Sequence, residues 1–304
     1  MLEKYKYHFL LHFTILIWGF TGIIGKFLDL SGLQSSEVVF WRMLIGWVTL
    51  LLYLILTKKN IKVSSTTLAK LLGNGVLIGL HWYCFFEAIA RSNVSIALVF
   101  MSTTALFTSI AEPIVSKKEF IPKELITGVL VILGIAIIVN DLDYSENPDF
   151  KIAIFYALIS ALLAAFFSVI NSVLVKETKS AVISLYELFG GFVFIAIVFI
   201  FSGDIVVSEL SINKTQILWL FLLGTICTSF AFLIGVYVMK FIPAYTVNLS
   251  VNLEPIYAIL LAILIFKKSE VMTLNFYLGS AIVVGSILLN AFFKKNKKKP
   301  HKVA

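Results

Sequence analysis

The 304-residue chain is 60% hydrophobic and only 14% charged, with a mean hydropathy of +0.98. Soluble domains carry about 25% charged residues, and a soluble fold of this length has too little interior to hide so much apolar surface, so a water-soluble domain is excluded. The net charge of +8 lies between apolar runs and in the tail Lys294–Lys302, which fits lipid headgroups and topology and not a nucleic-acid face.

A membrane-crossing helix needs about 20 apolar residues. Runs of that kind predict spans at 8–27, 38–57, 69–90, 94–115, 124–140, 152–175, 182–202, 216–240, 244–266 and 274–293. The first is read as a span and not as a cleaved signal peptide, although Lys4 and Lys6 precede it. Cys84 and Cys227 both fall inside spans, where packing thiols are expected and a disulfide is not. The longest connections, 141–151 and 203–215, are polar and acidic: Asp141, Asp143, Glu146 and Asp149 in one, Asp204 and Glu209 in the other.

Basic residues resist translocation, so they set the orientation. With the N-terminus inside, the inner segments carry Lys4, Lys6, Lys58, Lys59, Lys62, Lys70, Lys117, Lys118, Lys123, Lys176, Lys179, Lys240 and the basic tail. The outer ones carry Lys26, Arg91, Lys151, Lys214, Lys267 and Lys268. Both termini are therefore expected in the cytoplasm of a bacterium, with the protein in its inner membrane.

The chain also repeats itself. At a shift of 151 positions, Lys117-Lys118-Glu119, Gly128 and Gly134 fall on Lys268-Ser269-Glu270, Gly279 and Gly285, and Gly73 falls on Gly224. At a shift of 145, Phe40-Trp41-Arg42-Met43-Leu44 and Gly46 fall on Leu185-Tyr186-Glu187-Leu188-Phe189 and Gly191. Each half holds five spans, and five is odd, so the second copy enters the membrane in the opposite sense. The expected fold is all-α and integral to the membrane: ten transmembrane helices as two inverted five-helix repeats, a construction typical of secondary transporters. The units are 1–140 and 152–293, followed by a basic cytoplasmic tail at 294–304.

Four segments carry a family resemblance: Ile17-Trp18-Gly19-Phe20, Phe40-Trp41-Arg42, Leu253-Glu254-Pro255-Ile256, and Lys268-Ser269-Glu270 with Gly279 and Gly285. With these the chain resembles the drug/metabolite transporter superfamily, and within it the ten-helix EamA-type permeases. The resemblance covers both halves and implies an exporter or exchanger of amino acids, sugars, nucleotide sugars or drugs, with its cavity between the two five-helix halves. One departure matters. The first half reads Ser102-Thr103-Thr104 where the second reads Leu253-Glu254-Pro255, so the halves contribute unequally to the site.

Ionisable groups inside spans are costly, about 2.5–3.5 kcal/mol each on insertion scales, and therefore face a cavity or a partner. Glu254 is the strongest candidate. It lies mid-span beside Pro255, which removes a helix hydrogen bond and permits a local break; a carboxylate there can hold a substrate amine or a proton. His81 and Glu87 share the third span, Tyr83 and Glu87 lie on one helical face at i and i+4, and a histidine can relay protons. The competing reading of His81 is a hydrogen bond to Thr104 or Thr108. Trp18, too deep for the interfacial belt, lines the cavity or packs on Gly19 and Gly22. Asn171, Asn248 and Asn252 offer amides within spans, which interhelical hydrogen bonds explain without a ligand; Asn252 is kept in the candidate set. The substrate-binding set is thus Trp18, His81, Tyr83, Glu87, Asn252 and Glu254. Arg42 and Glu187 occupy matching positions of the halves, expected near the outer and inner surfaces respectively. Each either gates its own side or, for Arg42, reaches the headgroups.

Zinc-protease, nucleophile-elbow and phosphate-loop patterns are absent from the sequence, so no catalytic residue, metal or cofactor is expected and the chain is not read as an enzyme. The expected function is secondary transport of a small polar metabolite such as an amino acid, by alternating access and with proton coupling or exchange. The expected partners are a small-molecule substrate and membrane lipids, with no nucleic acid, in a monomer or homodimer. The alternatives are a headgroup flippase or intramembrane enzyme, whose cavity would open sideways to lipid, and a non-catalytic membrane partner, which would lack a central polar cavity.

Overall fold

A chain this apolar satisfies its backbone polar groups within helices, because hydrocarbon offers them no partner. The structure, a computed structural model, describes residues 2–116, 124–142, 145, 147–202, 212–251 and 253–296, and these contain helices and no strand. The α-helices are α1 (Leu2–Leu30), α2 (Ser35–Leu56), α3 (Ser65–Arg91), α4 (Val94–Met101), α5 (Thr104–Ser116), α6 (Glu124–Asp141), α7 (Phe150–Leu174), α8 (Ser180–Ser202), α9 (Lys214–Leu222), α10 (Ala231–Val238), α11 (Ala244–Val251), α12 (Glu254–Phe266) and α13 (Leu274–Asn296). A π-helical segment, Leu223–Phe230, joins α9 to α10. Among the described residues, seven helical stretches are long and apolar enough to cross a membrane. The molecule is therefore a multi-pass membrane protein. Exposed Phe9, Phe13, Leu56, Phe155, Phe201 and Leu264 form the kind of outer surface that lipid, not water, covers.

Helix starts follow local chemistry. Gln34 and Glu37 form a capping box on α2, Ser64 accepts from the Thr67 amide on α3, and Asn213 and Gln216 repeat the box on α9. These satisfy amides that the first turn leaves without partners. The start of α4 is held from a distance. Glu270 accepts from the backbone amides of Val94 and Ser95 at 2.9 and 3.0 Å and from Ser95 Oγ at 2.8 Å.

The spans expected at 94–115 and 244–266 are each broken into two helices. The breaks correspond: α11 begins 150 positions after α4, and α12 begins 150 positions after α5. Their chemical causes differ. In the first, Ser102, Thr103 and Thr104 turn their hydroxyls onto the carbonyls of Val99, Phe100 and Met101, competing with the helical ladder. In the second, Pro255 in the first turn of α12 has no amide to donate.

Packing centres on α3, which lies against α7 on one side and α8 on another. Small residues allow it. The buried face of α7 reads Ala153, Ala157, Ser160, Ala161, Ala164, Ala165 and Ser168. On α8 the crossing is closer still: a Cβ on Gly75 would sit 2.2 Å from the Glu187 carbonyl oxygen. Bilayer interiors favour such close approaches, because lipid provides no hydrophobic force between helices. Helix α2 packs on α8 and the π segment, α1 on α10 and α12, and α6 on α13.

Candidate functional site

Both helix breaks open on one cavity of about 110 Å³. Ser102 and Thr104 reach it from the first break, Glu254 and Pro255 from the second. Its apolar wall includes Trp18, Trp82, Phe85, Phe167 and Phe232, and its polar groups include Arg42, His81, Ser168, Asn171 and Asn248. An apolar pocket with a few convergent polar groups is the usual form of a small-molecule site.

Among the described residues Arg42 is the most deeply buried Lys or Arg, 1% exposed. Its Nε donates to Thr228 Oγ1 at 2.7 Å, and its guanidinium lies 3.8 Å from the Trp82 ring centroid and 5.6 Å from that of Phe86. Thr228 belongs to the π segment and donates its own hydroxyl to the Leu223 carbonyl at 2.7 Å, five residues back. The local unwinding thus presents a hydroxyl oxygen to Arg42, a use consistent with the tendency of π-bulges to occur at functional positions. Stacking on an aromatic face contributes roughly 0.5–2 kcal/mol, less than a buried cation needs. Nη1 is buried with no hydrogen-bond partner.

Glu254 is partly exposed to the cavity, in the first turn of α12, where the aligned amides favour a carboxylate. No ion pair within 4.0 Å joins it to Arg42. His81 is fixed by Ser160: its Nδ1 lies 2.9 Å from both the Ser160 carbonyl oxygen and Ser160 Oγ, and that hydroxyl donates back to the His81 carbonyl. The imidazole also meets the Phe167 ring edge-on at 5.3 Å. Ser168 donates to Asn248 Oδ1 at 2.9 Å and Asn248 Nδ2 donates to Thr108 Oγ1 at 2.8 Å, tying α7, α11 and α5 together beside the cavity.

The structure brings Trp18, Arg42, His81 and Glu254 around this space. Arg42 does not lie at the outer surface or reach for headgroups. It points inward because α2 packs on the π segment, which supplies Thr228. His81 bonds to Ser160 and not to Thr104 or Thr108, because α3 packs on α7. Trp18 faces Gly235, where an added Cβ would meet its ring at 2.8 Å; Gly19 and Gly22 face Ala258 and Val94 instead. Tyr83 and Glu87 do not line the cavity. They share a face, but two residues beyond His81 is about 200° of turn. Tyr83 packs on Tyr156 and Phe199, while Glu87 pairs with Arg91 at 2.8 Å at the end of α3. Glu187, 0% exposed, is not at a surface. It accepts from Asn74 and Asn171 at 2.7 and 3.2 Å within the α3–α7–α8 packing. Asn252 lies outside the described residues. Thr228, Ser160 and Asn74 were not singled out by sequence. Their only signal is a small polar residue inside an apolar run, and many such residues merely back-bond to their own helix.

A polytopic helical membrane protein with a buried, mixed apolar and charged cavity defines the class. The profile of the EamA-like transporter family matches residues 6–140 and again 151–292, and the chain belongs to that family. It is 31% identical over 134 residues to the pseudopaline exporter CntI of Pseudomonas aeruginosa, a match covering 44% of this chain and 45% of that one. The chain thus spans less than half the length of that relative. It is 24% identical over 275 residues to the uncharacterized transporter YdfC of Bacillus subtilis, covering 88% of this chain and 85% of that one. One crystal structure shares the fold at a TM-score of 0.68 and 14% identity, covering 95% of this chain and 98% of its own.

Proposed function

We propose that the chain is a secondary transporter of a small polar metabolite such as an amino acid, working as an exporter or exchanger by alternating access. The single observation that carries this is the cavity where both helix breaks meet, with Arg42, His81 and Glu254 facing one small space. Broken helices around a central site are the recurrent device of secondary transporters. In this reading ten crossings form two inverted repeats, 1–140 and 152–293. The common 150-residue offset of the breaks and the double match of the family profile support it. Export agrees with the name of the Pseudomonas aeruginosa relative, an exporter. The two repeats rock about the cavity in a bacterial inner membrane, with both termini in the cytoplasm. Proton and substrate compete for Glu254.

The test is flux from proteoliposomes loaded with labelled amino acids under an imposed pH gradient. Wild-type protein releases label. Glu254→Gln, monodisperse and of unchanged thermal stability, loses the gradient-driven component. Equal gradient-driven flux in the variant removes Glu254 from the mechanism, and no flux from wild type removes transport.

A further inference from the structure

Arg42, which lines the cavity, carries an unsatisfied hydrogen-bond donor. Its Nε is committed to Thr228 and one face of the guanidinium is covered by Trp82. Nη1 is buried without a partner, on a side chain 1% exposed that lines the cavity. A buried N–H left bare is unfavourable, and more so on a cation. Glu254 lines the same cavity yet makes no ion pair with Arg42. Two groups of opposite charge type, not paired within 4.0 Å, thus line one small, mostly apolar space.

We infer that the cavity is a two-pole site for zwitterions, in which Arg42 takes the substrate's carboxylate and Glu254 its ammonium group. This rests on the transport reading for the cavity being the substrate site, and it gives Arg42 a specificity role. A guanidinium offers a carboxylate parallel N–H donors, and here its plane is preset by Thr228 and Trp82. A simple anion would meet the Glu254 charge, and a simple amine would leave Nη1 bare. A zwitterion answers both, and its apolar body faces Phe85, Phe167 and Phe232.

Three probes of one carbon skeleton separate the poles: leucine, 3-methylbutan-1-amine and 4-methylpentanoate. Calorimetric binding to the full-length protein in detergent is expected to show leucine binding about 10–100-fold more tightly than either single-charge analogue, the loss that follows when one charge-assisted contact is missing. Arg42→Gln weakens leucine by a similar factor and leaves the amine unchanged; Glu254→Gln weakens leucine and leaves the acid unchanged. Amine or acid binding wild type as tightly as leucine, or no leucine binding, overturns the two-pole site, and the probe comparison on wild type decides this even if a variant fails to fold. Gradient-driven release of the amine alone from proteoliposomes would sink this inference while transport stands. Absence of flux for every solute sinks the transport reading itself.

Discussion

The approach of α3 to α8 sets where His81, Trp82 and, through α2, Arg42 stand, and one methyl group tests it. In Gly75→Ala the new Cβ would lie 2.2 Å from the Glu187 carbonyl oxygen and 2.9 Å from the Gly191 nitrogen. Both are backbone atoms of a packed helix, so no side-chain rotation relieves the clash. Ordinary contact begins near 3.4 Å, so the helices must part by about 1 Å. Overpacking of this kind costs about 1–3 kcal/mol, against which the helix-forming advantage of Ala over Gly returns only about 0.5–1 kcal/mol. A net loss of about 1 kcal/mol lowers the thermal midpoint by roughly 2–4 °C on the scale of 150–250-residue domains. Gly73 is the internal control. It lies on the same helix two positions earlier, and an added Cβ meets nothing within 4 Å, so Gly73→Ala is expected to be neutral or slightly stabilising. The assay is thermal unfolding of both variants in one detergent, followed by intrinsic fluorescence. If Gly75→Ala matches or exceeds Gly73→Ala in stability, the close crossing is wrong, and the placement of the cavity groups that depends on it fails too.

Glu270→Gln tests the clasp on α4. It removes the charge from three hydrogen bonds to Val94 and Ser95, and a loss of about 1–3 kcal/mol should appear in the same unfolding assay; an unchanged midpoint refutes the clasp. Thr228→Val removes both the acceptor for Arg42 Nε and the hydroxyl bond to Leu223. Two buried nitrogens on one guanidinium are then bare, so the variant should lose about 1–3 kcal/mol and weaken leucine binding, while Thr228→Ser restores both. If valine and serine behave alike, Thr228 does not position Arg42.

Much of the fold was legible because hydrophobic length is a coarse and robust signal. Nine of the ten expected spans fall on apolar helices or helix pairs; the third, 69–90, falls on α3, which is long but too polar to pass as a span by hydropathy. Its Asn74 and His81 are tolerable because α3 is packed between α7 and α8, and its Glu87 because Arg91 pairs with it at the helix end. The break at Pro255 was legible from a missing amide. The break at Ser102-Thr103 was not, since hydroxyls that back-bond to a helix do not always interrupt it. Of the groups that line the cavity, Glu254, His81 and Trp18 could be singled out because each is conspicuous inside an apolar run. Arg42 was conspicuous too, but its position near the start of a span suggested the surface. Only the partner helix, with Thr228 in an unwound turn, turns it inward. Tyr83 and Glu87 lie off the cavity for the complementary reason: helical spacing tells which residues share a face and not which face meets the cavity.

The two breaks are alike in position and unlike in charge, and that inequality gives the cavity its polarity. Helix N-termini carry partial positive charge. At the start of α12 that charge is met by Glu254; at the start of α5 it is met only by Thr104, whose hydroxyl is turned back to Met101. The second break therefore brings a carboxyl group to the cavity, whereas the first brings only the hydroxyl-bearing Ser102 and Thr104 to the cavity that Arg42 also lines. Two identical repeats would give like poles, suited to a symmetric or uncharged solute. A substitution of Glu for Thr at one break converts the pair into a dipole. In the proposed transport cycle, a movement of the halves that altered the separation of Arg42 and Glu254 would grip or release a zwitterion held between them.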